Sequence, residues 1–152
     1  MAMTMTGEFV LPADRATVWE KLNDPDVLKA CIPGCQELEK TSDTGFRAVV
    51  KAKVGPVKAT FRGKVELSDI DAPNGYTIAG EGEGGVAGFA KGGAKVRLED
   101  EAEGTKLSYD VEAQIGGKIA QLGGRLINGV AKKYADEFFG NFAKIVNPAE
   151  AS

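Results

Sequence analysis

The sequence contains no histidine. Imidazole is the side chain that most often exchanges protons near neutral pH, so histidine triads, HExxH zinc sites and histidine proton shuttles are excluded. Cysteine is nearly as scarce, with Cys31 and Cys35 of CIPGC the only two. Two thiolates without histidine partners close a zinc site only if carboxylates complete it. The pair reads as buried or capping thiols in a tight turn, with a redox pair as the alternative; a lasting disulfide is not expected in the cytosol. No apolar run approaches the ~18 residues that span a bilayer, and MAMTMTGEF has neither the basic nor the apolar region of a signal peptide. A cytoplasmic protein is the expectation. A basic excess is missing too: 19 Lys and Arg against 22 Asp and Glu give a net charge of -3, which argues against a general nucleic-acid binder.

What is present is ordinary globular material, 152 residues with 43% hydrophobic and 27% charged side chains. One domain over residues 1–147 is expected, with 148–152 as a short tail. The organising stretch is Lys118 to Val146. Apolar side chains recur at Ile119, Leu122, Leu126, Val130, Tyr134, Phe138, Phe142 and Ile145, the spacing of one helix face. Such a helix would be about 40 Å long and needs a large apolar partner surface.

The preceding residues supply one. Gly7 to Leu11 reads as a short strand, followed by a helix capped by Asp14 and ending at Leu22, and a second helix over Asp26 to Cys31. From Phe46 the period changes to two. Phe46, Ala48, Val50, Ala52 and Val54 alternate with Arg47, Val49, Lys51 and Lys53, and Val57, Ala59, Phe61, Gly63, Val65 and Leu67 alternate with Lys58, Thr60, Arg62, Lys64 and Glu66. The same pattern returns with Tyr76, Ile78, Gly80 and Gly82, with Ala94, Val96 and Leu98, and with Leu107, Tyr109, Val111, Ala113 and Ile115. A weaker strand is expected at Cys35 to Thr41, giving about seven. The fold class is α+β of helix-grip type: a curved antiparallel sheet wrapped around a long C-terminal helix, with two short helices after the first strand.

The face turned toward the helix is apolar but built from small residues: Ala48, Ala52, Ala59, Gly63, Gly80, Gly82, Ala94 and Ala113. The helix has its own glycines, Gly123, Gly124 and Gly129. Either helix and sheet approach closely at these positions, or a cavity remains between them. A cavity so lined suits a lipophilic guest, since each buried methylene contributes about 0.8 kcal/mol without any ion pair. Acid–base catalysis would need a positioned ionisable group, and tyrosine phenols alone serve poorly. No catalytic residue, metal ligand or cofactor is expected. The glycine-rich Gly80–Gly93 lacks the GKS or GKT ending of a phosphate loop. It reads as a flexible hairpin carrying Val86 and Phe89 at its tip, with Lys91 nearby: a cavity mouth touching membrane or partner, unless Phe89 simply packs inward.

Four segments, DPDVLKACIPGCQELE, GPVKATFRGKVELSDID, GEGEGGVAGFAKGGAKV and LSYDVEAQIGGKIAQLGGRLI, strongly resemble the G-subunit family of carbon monoxide dehydrogenase, part of the START/Bet v 1-like superfamily. The resemblance covers Gly7 to Val146. It implies a non-catalytic accessory protein of a carbon monoxide dehydrogenase or related molybdenum hydroxylase, linked to membrane recruitment and to carrying a respiratory quinone. Location would then extend to peripheral contact at the inner face of the cell membrane. Some members of that family continue into a C-terminal tail associated with membrane attachment, whereas this sequence ends at Ser152. The guest is expected among Phe46, Val50, Phe61, Val65, Tyr76, Ile78, Tyr109 and Val111 of the sheet and Leu122, Leu126 and Val130 of the helix. Tyrosine hydroxyls would orient a quinone carbonyl. Two other functions compete: a ligand-free assembly factor for the dehydrogenase, and a cyclase, isomerase or hydrolase on the same fold.

Overall fold

The computed structural model describes residues 1–147; the expected tail, 148–152, lies outside the described residues. Strand β1 (Ala2–Leu11) is followed by helices α1 (Arg15–Leu22) and α2 (Pro25–Cys31). Strands β2 (Cys35–Lys40), β3 (Gly45–Val54), β4 (Val57–Asp71), β5 (Gly75–Glu83), β6 (Phe89–Glu101) and β7 (Gly104–Gly116) come next, and helix α3 (Gly124–Val146) closes the chain. Two 3-10 turns, Gly85–Ala87 and Lys118–Leu122, sit before β6 and α3. All seven strands form one antiparallel sheet in the order β1-β7-β6-β5-β4-β3-β2. The chain thus meanders from β2 to β7, and β1 returns to pair with the last strand.

Local chemistry sets the helix starts. The Asp14 carboxylate accepts from the Thr17 N–H at 3.1 Å and caps α1, and that bond holds its pKa below the ordinary value. Asp24 caps α2 in the same way, with Pro25 at the first helical position. The second helix therefore begins one residue before the expected Asp26.

Three expectations need correction. Strand β1 begins at Ala2 rather than Gly7, because Met3 and Met5 already point to the same face as Phe9 and Leu11. The glycine-rich stretch is mostly strand, with β5 running to Glu83 and β6 starting at Phe89, so only residues 84–88 turn. The C-terminal helix does not begin at Lys118. Gly123, at φ +90°, adopts a backbone that side-chain-bearing residues avoid, and it separates the 3-10 turn from α3. The remaining 23 residues span about 35 Å.

The interior divides into two apolar clusters. The larger joins α1, α2, the C-terminal half of α3 and one end of the sheet, and includes Leu11, Val18, Cys31, Leu98, Leu107 and the fully buried Phe142. Asn141 secures α3 there by donating to the Cys31 carbonyl at 3.1 Å. The smaller cluster, Val57, Ala87, Ile115, Ile119 and Ile127, lies at the opposite end, beneath the two 3-10 turns.

Candidate functional site

Strand register shows what lies between the clusters. Residues on the inner face align in cross-strand rows, among them Met5–Val111–Ala94–Ile78–Leu67 and Met3–Ala113–Gly92–Gly80–Val65–Phe46. A third runs Ile115–Ala90–Gly82–Gly63–Ala48. These rows contain no Asp, Glu, Lys or Arg, because the charged residues occupy the alternate positions on the outer face. Ala90, Gly92 and Ala94 of β6 and Gly80 and Gly82 of β5 are small, so the sheet presents a low apolar floor at its centre.

Helix α3 crosses above this floor and makes its close approaches at the margins of the sheet, on β1 and β3. At the β3 margin the Lys53 N–H donates to the Tyr134 hydroxyl at 3.2 Å. At the β1 margin Phe9 stacks on Phe139 with ring centroids 4.4 Å apart, and Tyr109 stacks on Phe139 at 5.9 Å. Between these supports, Val130, Ala131, Tyr134 and Ala135 of α3 and Val50, Ala94, Val111 and Met5 of the sheet are only half-buried, and none belongs to either cluster. These side chains make an apolar waist that is half-buried and belongs to neither packed end.

The helix glycines do not mark tight contact. A Cβ on Gly123, Gly124 or Gly129 would meet nothing within 4 Å, which removes close helix–sheet approach as the reason for them. The inward face of α3 is also rotated from the expected one. Ile127 and Val146 are buried, whereas Leu126 and Ile145 are 38% and 37% exposed.

Of the eleven residues expected around a guest, Val50, Val111 and Val130 line the waist. Val65 and Ile78 stand at its border with the larger cluster. Phe46 and Tyr76 are buried within that cluster, and Phe61 and Leu122 pack on the smaller one. Leu126 leans on the β3–β4 turn, where a Cβ on Gly55 would lie 2.8 Å from its Cδ2. The ring of Tyr109 covers Gly7 of the neighbouring strand. Sequence reasoning placed Ala94 on the inward face without naming it around the guest, and missed Met5, Ala131 and Ala135; the Met3-Thr4-Met5-Thr6 alternation was the available signal for Met5.

Two phenols belong to the larger cluster or pack against it. Tyr76 packs edge-on against Trp19, centroids 5.3 Å apart, and burial pushes its pKa up to about 12. Its side chain is 8% exposed and its hydroxyl makes no hydrogen bond among the described residues. Tyr109 is also shifted upward, first by burial and then by the charge of Asp136, with Lys132 opposing. Both phenols stay protonated at neutral pH and are hydrogen-bond donors, not bases.

The expected mouth residues lie at the end closed by the smaller cluster. Val86 tops the first 3-10 turn and is 94% exposed. Phe89 points to the outer face rather than inward, its ring covering Gly116. Lys91 is exposed on the same outer face. A hollow of about 840 Å³ on that face is an open trough lined by Thr4, Thr6, Lys95, Asp110 and Glu112 among others. The cysteines are unpaired; Cys31 is buried, which raises its pKa to about 11 and suppresses thiolate chemistry. No group of described residues could hold a metal ion, and no described helix is long and apolar enough to cross a membrane.

A seven-stranded sheet gripping a C-terminal helix, with short helices after the first strand, defines a START/Bet v 1-like fold. Solved structures agree: the chain aligns with Ara h 8.0201 at a TM-score of 0.66 and 16% identity, covering 96% of this chain and 98% of that one. It aligns with the Zhui aromatase/cyclase from a Streptomyces species at 0.69 and 13%, covering 96% and 94%. A conserved protein from Geobacillus kaustophilus is nearer, with 33% identity, a TM-score of 0.89 and 95% of each chain covered. None of the curated proteins matches the sequence significantly. The family match is specific: over residues 7–147 the chain belongs to the G-subunit (CoxG) family of carbon monoxide dehydrogenase.

Proposed function

We propose that the chain is a non-catalytic carrier of a lipophilic molecule, a respiratory quinone, serving a carbon monoxide dehydrogenase or related molybdenum hydroxylase at the membrane. The accessory role follows from family membership. The observation that carries the ligand is the waist: α3 makes its close approaches on β1 and β3, and the apolar side chains between those supports are half-buried and belong to neither cluster. Unfilled contacts of this kind forfeit dispersion energy that a guest would restore.

The chemistry of the lining supports transport over turnover. A quinone's reduction would be carried out by the dehydrogenase, and the carrier has to shelter the tail and orient the head group. Apolar rows do the first. The unpartnered Tyr76 hydroxyl, protonated up to about pH 12, is a donor available to a carbonyl at the edge of the larger cluster. A hydrolase or cyclase would need a base or acid in the same space, and the cross-strand rows supply none.

The test is organic extraction and mass spectrometry of protein purified from its native host. Quinone recovered in near-stoichiometric amount is expected. A blank extract, together with no saturable binding of quinone analogues, would favour the ligand-free assembly factor.

A further inference from the structure

Charge is distributed unevenly along the molecule. The net charge is -3, yet Thr44 to Val65 holds six basic residues and no acid, and Ala113 to Ala135 holds four and no acid. The fold brings the ends of both stretches together. The Gly55 turn rests on Leu122 and Leu126, Gly117 abuts Gly88 beside the first 3-10 turn, and Phe61 lies against Gly84. The β3–β4 turn, the two 3-10 turns and the start of α3 therefore form one face. Lys53, Lys58, Lys118 and Arg125 are exposed on it and enter no ion pair among the described residues. Lys53 and Lys58 are direct cross-strand partners, a like-charge pairing that costs stability without an anionic counterpart. Glu81 and Glu83 lie opposite Lys64 and Arg62 on the outer face of the sheet.

The same face exposes apolar groups. Val86 is 94% exposed and Leu126 38%, with exposed Pro56 between the β3 and β4 ends. The turns at the other end of the sheet are acidic instead, with Asp69, Asp71, Glu99, Asp100, Glu101 and Glu103. Apolar tips within a ring of uncompensated bases match a lipid surface: the side chains enter the interface while the ammonium and guanidinium groups meet phosphates.

We infer that this face docks the chain on an anionic bilayer, with Val86 and Leu126 entering the headgroup layer and Lys53, Lys58, Lys118 and Arg125 meeting lipid phosphates. The inference rests on the carrier reading in one respect: docking here turns the smaller of the two clusters, the five-residue seal over the waist, toward the lipid. Glycines at positive φ flank both 3-10 turns of that seal.

The experiment is co-sedimentation of the full chain with vesicles of phosphatidylcholine alone or mixed with phosphatidylglycerol, alongside a vesicle-free titration of a short-chain quinone analogue read by Trp19 fluorescence. Binding to the anionic vesicles is expected, at least about tenfold above the neutral ones, and weakened at about 1 M salt, where screening acts within about 3 Å. Lys53→Glu with Lys58→Glu should weaken it by about fivefold or more per residue. Val86→Ser should weaken it too, and Ile70→Ser at the opposite end should not. Equal binding to both vesicle types, or unchanged binding by the Lys53 and Lys58 variants, overturns the docking face. So does capture of an acidic protein with no vesicle binding. A saturable Trp19 titration without vesicle binding removes this inference alone. Vesicle binding with a flat titration removes the carrier reading and leaves the docking face standing.

Discussion

Enlarging a side chain at the centre of the sheet separates a hollow interior from a packed one. Ala94 sits on β6 between Ile78 and Val111, facing α3, and is half-buried. Ala94→Leu adds three methylene equivalents. In a packed core such a substitution forces side chains off their rotamers and costs about 1–3 kcal/mol. In an unfilled apolar space it buries new surface instead, gaining up to about 2 kcal/mol at roughly 0.8 kcal/mol per methylene. A chain of this length shifts its melting temperature by about 2–4 °C per kcal/mol, so the two cases differ in sign and by several degrees. Urea unfolding followed by circular dichroism gives the free energy, and the Trp19 titration gives affinity for a short-chain quinone analogue. The expected result is stability equal to or above that of the parent chain, with affinity at least about tenfold lower, since the leucine occupies the guest's volume. Destabilisation by about 1 kcal/mol or more with unaltered ligand binding would show that the waist is filled and lies away from any ligand.

Three further outcomes follow from the geometry. Phe142→Ala, at a position with no solvent exposure in the larger cluster, should cost about 3–5 kcal/mol by chemical denaturation. Tyr134→Phe removes the acceptor for the Lys53 N–H; a loss of about 0.5–1.5 kcal/mol and faster exchange of that amide are expected, and unchanged exchange would deny the bond its role in propping the helix. Tyr76 has a folded pKa of about 12 against an ordinary 10. Its contribution is therefore intact below pH 10 and declines as pH rises toward 12, by up to about 3 kcal/mol, a decline that Tyr76→Phe should abolish.

Much of the architecture was legible because alternation survives even where residues are small. Ala, Gly and Val at every second position marked β3 to β7, and Asp14 marked the first short helix. The helix start was not legible. Ile119, Leu122 and Leu126 keep a three-or-four-residue spacing that a 3-10 turn and an α-helix share, and only the backbone at Gly123 shows the break. The helix face was misread for a related reason. Leu126-Ile127 and Ile145-Val146 are adjacent apolar pairs, and periodicity alone does not choose which member points inward.

The waist shows the same limit. That its lining would be small and apolar could be read from the strands. Which large residues stay out of it could not, because Phe46 and Tyr76 share a face with Val50 and Ile78. They are drawn into the larger cluster by contacts with distant elements, such as Trp19 of α1 on Tyr76. The segregation of bases to one end was visible in the composition of two stretches, but only the fold joins them into a surface.

A crystal of the protein pressurised with xenon interrogates the unfilled interior without presuming which molecule it carries, since xenon enters dry apolar cavities and ignores polar hollows. The account predicts a xenon peak between α3 and the sheet, within contact of Ala94 and Val111. Side chains closing that space, with no xenon there, would contradict it.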